Sequence, residues 1–189
     1  RRSSGFHGGL NGRRFRKRRL SLLMGAAPSA RWLWFALAVL AADRATKFAV
    51  ERLTEEGFRR VLIPQFAALV HSRNTGMAFG LFAGSDTRWL TFTLLLVSFA
   101  VVMVLAWLLF AGRVATTLTQ AGLALLAGGS AGNLLDRLLH GAVTDFLELH
   151  VGSFYWPAFN VADSAITVGA ILMLIEMFRG DPRRGAAQE

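Results

Sequence analysis

At 189 residues the chain is long enough for one domain, and 53% of it is hydrophobic against 17% charged, with a mean hydropathy of +0.43. That balance fits a membrane protein better than a soluble enzyme. The absence of cysteine excludes disulfides, thiolate metal sites and a cysteine nucleophile.

The net charge of +9 is lodged at one end. Residues 1–23 carry eight of the 21 basic residues and no acid, leaving 13 basic against 12 acidic elsewhere. Met24 stands just before the first apolar run, and the chain opens on Arg1. Residues 1–23 are therefore expected to be a disordered or non-native extension outside the fold, or a cytoplasmic tail drawn to anionic headgroups. Nucleic-acid binding is disfavoured, because only Phe6 and Phe15 interrupt the basic residues and stacking needs more.

Residues 32–42 are apolar but too short to cross a bilayer, which takes about 20 residues. The pattern resumes at Phe48, Ala49 and Val50, beyond Asp43, Arg44 and Lys47. A first span over 31–53 follows, retained because no small-residue cleavage site comes after it. Residues 54–88 break into strand-length apolar pieces bounded by Pro64 and several glycines, which predicts a small sheet or loop outside the hydrocarbon. Residues 89–112 hold no charge and predict a second span. A turn at Arg113 leads to a third over 114–139, where Ala124, Gly128 and Gly132 recur every four residues and let a neighbouring helix approach closely. The fourth spans 160–178, and residues 181–189 form a tail to a membrane domain covering 24–180. The expected fold is an all-α, four-helix membrane protein with a small extramembrane β-structure.

Four spans place both termini on one side. That side carries thirteen Lys and Arg against six on the other, but five against six once residues 1–23 are set aside. The positive-inside rule therefore orients the chain only through its basic extension.

The chemistry gathers between residues 128 and 166. Asn133, Asp136, Arg137 and His140 stand at i, i+3, i+4 and i+7 and share a helix face. One structural reading is a helix end with an internal Asp136–Arg137 bridge. Asp145 and Asp163 are 18 residues apart, too far for one face. They flank the connection between the third and fourth spans, so both return to the same membrane surface. There Phe154, Tyr155 and Trp156 suit the interface. A charge in the first turn of a span is expensive, although Asp163 at a helix N-terminus also gains from the dipole, and Asp145 alone reads as a loop carboxylate. Together they make a candidate catalytic pair. Two carboxylates held close share one proton. The ionised one takes a proton from water while the other protonates the scissile carbonyl, with no metal or covalent intermediate.

Other residues invite other readings. Asp43 and Lys47 at i and i+4 pair across one turn near the outer end of the first span. Gly128-Gly129-Ser130-Ala131-Gly132 spells a nucleophile elbow, but that motif needs a strand–turn–helix and here lies mid-span. His140, Asp145, Glu148 and His150 fit no ligand spacing. A carrier or proton relay would also place Asp, Asn and Arg in the membrane, and a purely structural subunit would need neither aspartate.

Five ordered blocks resolve these alternatives: Asp43-Arg44-Ala45-Thr46-Lys47, Asn74-Thr75-Gly76-Met77-Ala78-Phe79-Gly80, Gly132-Asn133-Leu134-Leu135-Asp136-Arg137, Val143-Thr144-Asp145-Phe146 and Phe159-Asn160-Val161-Ala162-Asp163. On these blocks the chain resembles bacterial lipoprotein signal peptidase (signal peptidase II) over residues 32–178. The resemblance implies a monomeric, multi-pass inner-membrane aspartyl peptidase among phospholipids, with cytoplasmic termini and its site near the periplasmic face. It implies Asp145 and Asp163 as the catalytic dyad, with supporting or substrate-positioning roles for Asp43, Lys47, Asn74, Gly76, Asn133, Asp136, Arg137, Asn160 and Ala162. It implies no cofactor. The implied substrate is a diacylglyceryl-modified prolipoprotein, cut just before the lipidated cysteine.

Overall fold

The structure is a computed structural model that describes residues 30–75, 87–111 and 116–179. The extension over 1–23, Gly76 and the tail over 181–189 lie outside the described residues. In chain order the elements are α1 (Ala30–Leu53), β1 (Arg59–Ile63), β2 (Ala67–Asn74), α2 (Thr87–Phe110), α3 (Thr117–His140), β3 (Val143–Val151), β4 (Phe154–Phe159) and α4 (Val161–Arg179). The protein is mostly helical with one small antiparallel sheet.

The first three helices have 24 residues each and α4 has 19. At 1.5 Å per residue they are about 36 and 28 Å long, close to the thickness of a hydrocarbon core. Over Thr91–Phe110 and Val161–Arg179 the chain is also apolar enough to cross a membrane. The other two helices are less apolar because α1 carries Asp43, Arg44, Lys47, Glu51 and Arg52, and α3 carries Asn133, Asp136 and Arg137.

Helix α3 touches each of the other three. It starts at Thr116, whose side chain accepts the Thr119 N–H at 3.2 Å, and ends at Gly141 in the left-handed region (φ 71°), whose N–H reaches the Arg137 carbonyl at 3.0 Å. Both caps satisfy backbone groups that helix ends leave open. Its glycines are where neighbours touch. A Cβ on Gly128 would lie 2.5 Å from the Ala36 carbonyl oxygen on α1, and one on Gly129 equally close to that of Ala162 on α4. One row of small residues thus faces α1, as the four-residue spacing predicts, and the adjacent row seats α4. Away from the sheet, Leu109, Leu123, Ala124 and Ala127 form the apolar core, with Trp32, Ala36 and Met173 against it.

The sheet runs β1-β2-β3-β4. Its first two strands fall inside 54–88, as the turn-bounded apolar pieces predict, but β3 and β4 come from 143–159. The reading of Asp145 as a loop residue is therefore corrected: it sits on a strand, opposite Ser72. The reason is tertiary, since β3 is ordered by pairing with β2, some 70 residues earlier in the chain. Pro64 and Gln65 (φ 61°) turn the first hairpin, closed by Phe66 N–H to the Ile63 carbonyl at 3.1 Å. Gly152 (φ 59°) turns the second. The His150 N–H reaches the Phe66 carbonyl at 2.8 Å, so both hairpin tips lie at one end of the sheet. The opposite end, with Asn74 against Val143, abuts the helices.

Candidate active site

Four elements converge where the inner end of the sheet meets the bundle, and each delivers a polar side chain for a local reason. Helix α4 begins with a capping box. The Asn160 Oδ1 accepts the Asp163 N–H at 2.9 Å, and the Asp163 Oδ2 accepts the Asn160 N–H at 3.3 Å. The same Asn160 turns its amide N–H groups to the Asp145 Oδ1 at 2.7 Å, the Thr144 carbonyl at 3.3 Å and the Asn133 Oδ1 at 3.3 Å. One buried amide therefore joins both aspartates.

Each carboxylate has a further asparagine. Asn133 on α3 donates to the Asp163 Oδ1 at 2.7 Å, and Asn74, the last residue of β2, donates to the Asp145 Oδ2 at 3.1 Å. Asp145 is only 3% exposed. Burial pushes its carboxyl up to about 6, opposed by the Asn74 hydrogen bond and reinforced by the negative charge of Asp163. Neutralisation of one carboxyl is the ordinary response to two acids near each other in a dry site.

Behind this pair lies a completely buried ion cluster. The Lys47 ammonium has three N–H bonds and three partners: Asp43 Oδ2 at 2.8 Å, Asp136 Oδ2 at 2.9 Å and Asn133 Oδ1 at 3.0 Å. Its donation to Asn133 Oδ1 fixes which way that amide faces, and so presents the Asn133 N–H to Asp163. Asp43 spends its other oxygen on the Ala162 N–H at 2.9 Å. Ala162 is fully buried, and a Cβ on Gly132 would fall 2.5 Å from Asp43 Oδ2. Small residues at both positions are what lets Asp43 reach α4. The Asp43–Lys47 pair predicted from spacing is thus present, but wholly inside the bundle and extended to α3 and α4.

Two expectations for α3 are corrected. Asp136 does not bridge to Arg137; it pairs with Lys47 and with Arg44 from α1. Arg137 turns instead toward α2, where it lies 3.4 Å from the Ser98 Oγ, while Asp145 and Asp163 remain within its electrostatic reach. The presumed single face therefore divides, with Asn133 and Asp136 buried and His140 exposed. The helix also continues unbroken through Ser130, so the strand–turn–helix of a nucleophile elbow is absent at that serine.

Three contributors escaped the sequence reading. Thr144 donates its hydroxyl to the Glu51 Oε1 at 2.7 Å and its backbone N–H to the Asp136 Oδ2 at 3.2 Å, pinning the strand one residue before Asp145. Arg44 bonds Glu51 at 2.7 Å as well as Asp136. Asp43, Lys47 and Glu51 recur every four residues, a one-face signal that could have exposed Glu51. Ligand atoms of Glu51, Asp136 and His140 lie within 4.8 Å of one another. Arg44 and Lys47 already neutralise both carboxylates there, which works against a divalent cation. Of the other metal set, Glu148 pairs with Arg59 and His150 stacks on Tyr155.

Taken together, apolar helices of bilayer length around a buried polar centre define an integral membrane protein. Solved structures agree: a bacterial membrane enzyme superposes with a TM-score of 0.72 at 25% identity, covering 83% of this chain and 98% of that one. A second reaches 0.71 at 26%, covering 82% and 92%. A family model described as Signal peptidase (SPase) II matches residues 35–179. A lipoprotein signal peptidase of Solibacter usitatus (strain Ellin6076) is 41% identical over 162 residues, 85% of this chain and 98% of the relative. One of Pseudomonas fluorescens (strain Pf0-1) is 44% identical over 151 residues, 78% and 87% of the two chains. The chain belongs to the signal peptidase II family.

Proposed function

We propose that the protein is an intramembrane aspartyl endopeptidase that removes signal peptides from diacylglyceryl-modified prolipoproteins, cutting before the lipidated cysteine. The observation that carries the reading is the Asn160 amide, bonded to Asp145 on one side and to the backbone N–H of Asp163 on the other.

In this reading the dyad holds one proton. Burial favours it on Asp145, while Asp163 is oriented by N–H groups from Asn133 and from the backbone of Asn160. Asp163 then takes a proton from the attacking water, and Asp145 gives its proton to the carbonyl oxygen of the scissile amide. A tetrahedral diol forms. As the C–N bond breaks, Asp163 returns its proton to the departing amine, and the diol proton passes to Asp145, restoring the starting state. Neither metal nor covalent intermediate takes part. Asp43, Lys47, Asn74, Asn133, Asp136, Asn160 and Ala162 act as positioning residues. Arg137 and Gly76 are assigned to the substrate side.

All four helices cross the bilayer in this reading. The charges of α1 and α3 do not forbid it, because Asp43, Lys47 and Asp136 are fully buried against one another, which leaves apolar residues such as Trp34, Leu37 and Phe48 outward. The membrane domain covers 24–180, with 1–23 as an extension and 181–189 as a tail. The chain works as a monomer in the inner membrane, termini cytoplasmic and dyad near the periplasmic face, so a substrate arriving sideways in the lipid meets the dyad at the depth of its own cleavage site.

The test is cleavage of a diacylglyceryl-modified prolipoprotein by purified protein in detergent, with and without a chelator. Loss of activity in Asp145→Asn and in Asp163→Asn, with Ser130→Ala active and the chelator harmless, is expected. Activity that survives either aspartate change but is lost in Ser130→Ala or in chelator overturns the reading.

A further inference from the structure

The proposed dyad joins two elements that the chain builds separately. Asp163 rides on the first turn of α4, and Asp145 on β3. The residue before Asp145 ties that strand to the bundle. Thr144 is 1% exposed and is held from three sides. Its carbonyl accepts the Asn160 amide at 3.3 Å, its backbone N–H reaches the Asp136 Oδ2 at 3.2 Å, and its hydroxyl reaches the Glu51 Oε1 at 2.7 Å. The last two bonds belong to a closed ring. Arg44 donates one guanidinium N–H to the Glu51 Oε2 at 2.7 Å and another to the Asp136 Oδ1. Thr144 and Arg44 thus donate twice each, and Glu51 and Asp136 each accept on both oxygens. A planar fork suits the Arg44 corner, where one cation spans two carboxylates. At the opposite corner, a valine would fill the space of Thr144 and leave the Glu51 oxygen without its donor.

We propose that Thr144, Glu51 and Arg44 are positioning residues, and that their ring sets where the Asp145 carboxyl stands relative to Asp163. The same ring is linked to the second aspartate. The Asp136 Oδ2 also pairs with Lys47 at 2.9 Å, Lys47 donates to the Asn133 Oδ1 at 3.0 Å, and Asn133 donates to the Asp163 Oδ1 at 2.7 Å. Both carboxylates are therefore placed from one ammonium, Asp163 through Asn133 and Asp145 through Asp136 and Thr144. Opening the ring at any corner frees the strand on its α1 side, so the three residues act as a unit. The chemistry is sensitive to that freedom, since a misplacement of about 1 Å can cost about 100-fold in rate. Thr144, Glu51 and Arg44 act through the strand and not on the substrate.

This inference rests on the proposed dyad, and the experiment separates the two. The measurements are kcat, KM and the pH profile of prolipoprotein cleavage by the full chain in detergent, with Tm alongside. Thr144→Val and Glu51→Ala are each expected to lower kcat about 10-fold, short of the loss that a full misplacement of about 1 Å brings, with KM unchanged. Thr144→Ser keeps the hydroxyl and keeps kcat. The double variant Thr144→Val/Glu51→Ala is no slower than either single one, because the ring is already open. The basic limb of the kcat/KM profile moves to lower pH in Thr144→Val, because a lifted strand admits water to Asp145, whose hold on its proton comes from burial. Gly169→Ala gives the reference for stability alone. A Cβ there lies 2.8 Å from the Gly122 carbonyl oxygen, far along α3 from the ring, so it lowers Tm without moving kcat or the pH profile. Should Thr144→Val not fold, Glu51→Ala and Thr144→Ser carry the comparison. Wild-type kcat in Thr144→Val and Glu51→Ala, or a lower Tm with kcat and the pH profile unmoved, would overturn the ring and leave the dyad standing. Equal losses in Thr144→Ser and Thr144→Val, or additive losses in the double variant, would overturn it too. Cleavage that survives in Asp145→Asn would overturn the dyad itself.

Discussion

Over residues 122–132, α3 meets its neighbours through backbone, with Gly128 against the Ala36 carbonyl, Gly129 against that of Ala162 and Gly122 against that of Gly169. Over residues 133–140 the same helix meets them through charge and amide groups, with Asn133 and Asp136 both held by Lys47. In the proposed transmembrane reading of α3, the difference follows from the solvent. In lipid no hydrophobic force drives helices together, so a dry contact depends on close approach and a polar contact on satisfied hydrogen bonds. The dry half tolerates any residue small enough. The polar half demands particular atoms, which is why the proposed chemistry is found there.

Breaking the polar half should have the larger consequences. Asp163→Asn and Asp145→Asn are each expected to lower prolipoprotein cleavage at least about 100-fold, the lower end of what acid–base groups contribute, with the protein still folded by thermal unfolding in detergent. Lys47→Met leaves Asp43 and Asp136 buried without their cation and should destabilise the protein by about 3–5 kcal/mol, read as a lower Tm and loss of activity together. In the dry half, Gly129→Ala drives a Cβ into the Ala162 carbonyl and should cost about 1–3 kcal/mol; its activity per folded molecule stays closer to wild type than that of Lys47→Met.

Two finer changes sharpen the comparison. Asp145 takes up its proton more readily in the folded protein, at about 6 against 3.8 when unfolded. Below about pH 4 both states hold that proton and the residue is neutral to stability. As pH rises through 6 the folded state must ionise a buried group, a penalty of about 3 kcal/mol. Asp145→Asn should therefore raise Tm near pH 8 relative to wild type and lose that advantage near pH 4. Glu51→Gln keeps an acceptor for Thr144 but weakens the pairing with Arg44. It is expected to lower kcat/KM several-fold and stability by about 1 kcal/mol, an effect visible in a prolipoprotein cleavage titration.

The helices were legible because each answers to a local rule. Uncharged runs marked α2 and most of α3, the four-residue row of Ala124, Gly128 and Gly132 announced a close neighbour, and i, i+4 spacing paired Asp43 with Lys47. Strands β3 and β4 were not legible. Their order comes from β2, and no local spacing reports that Ser72 will stand opposite Asp145. The ion cluster was half visible for the same reason, since the Lys47–Asp136 contact joins residues nearly 90 positions apart. The Asp136–Arg137 expectation failed because sequence neighbours on a helix point about 100° apart, and here they serve different helices. The five ordered blocks named candidate residues that spacing alone could not connect, and the structure gathers Asn74, Asn133, Asp145, Asn160 and Asp163 among them.

The capping box at the start of α4 has a consequence for control. Asp163 supplies one carboxylate oxygen to hold the first turn together and the other to the amide of Asn133. A single helical turn and a proposed reaction centre are thus one object. If that turn frays, the carboxylate swings away from Asn133, and the bond to be cut loses its partner at that depth. In the proposed reading, the place where the helix begins is a ruler for the place where the substrate is cut, and peptide-bond cleavage becomes a readout of whether four residues are coiled.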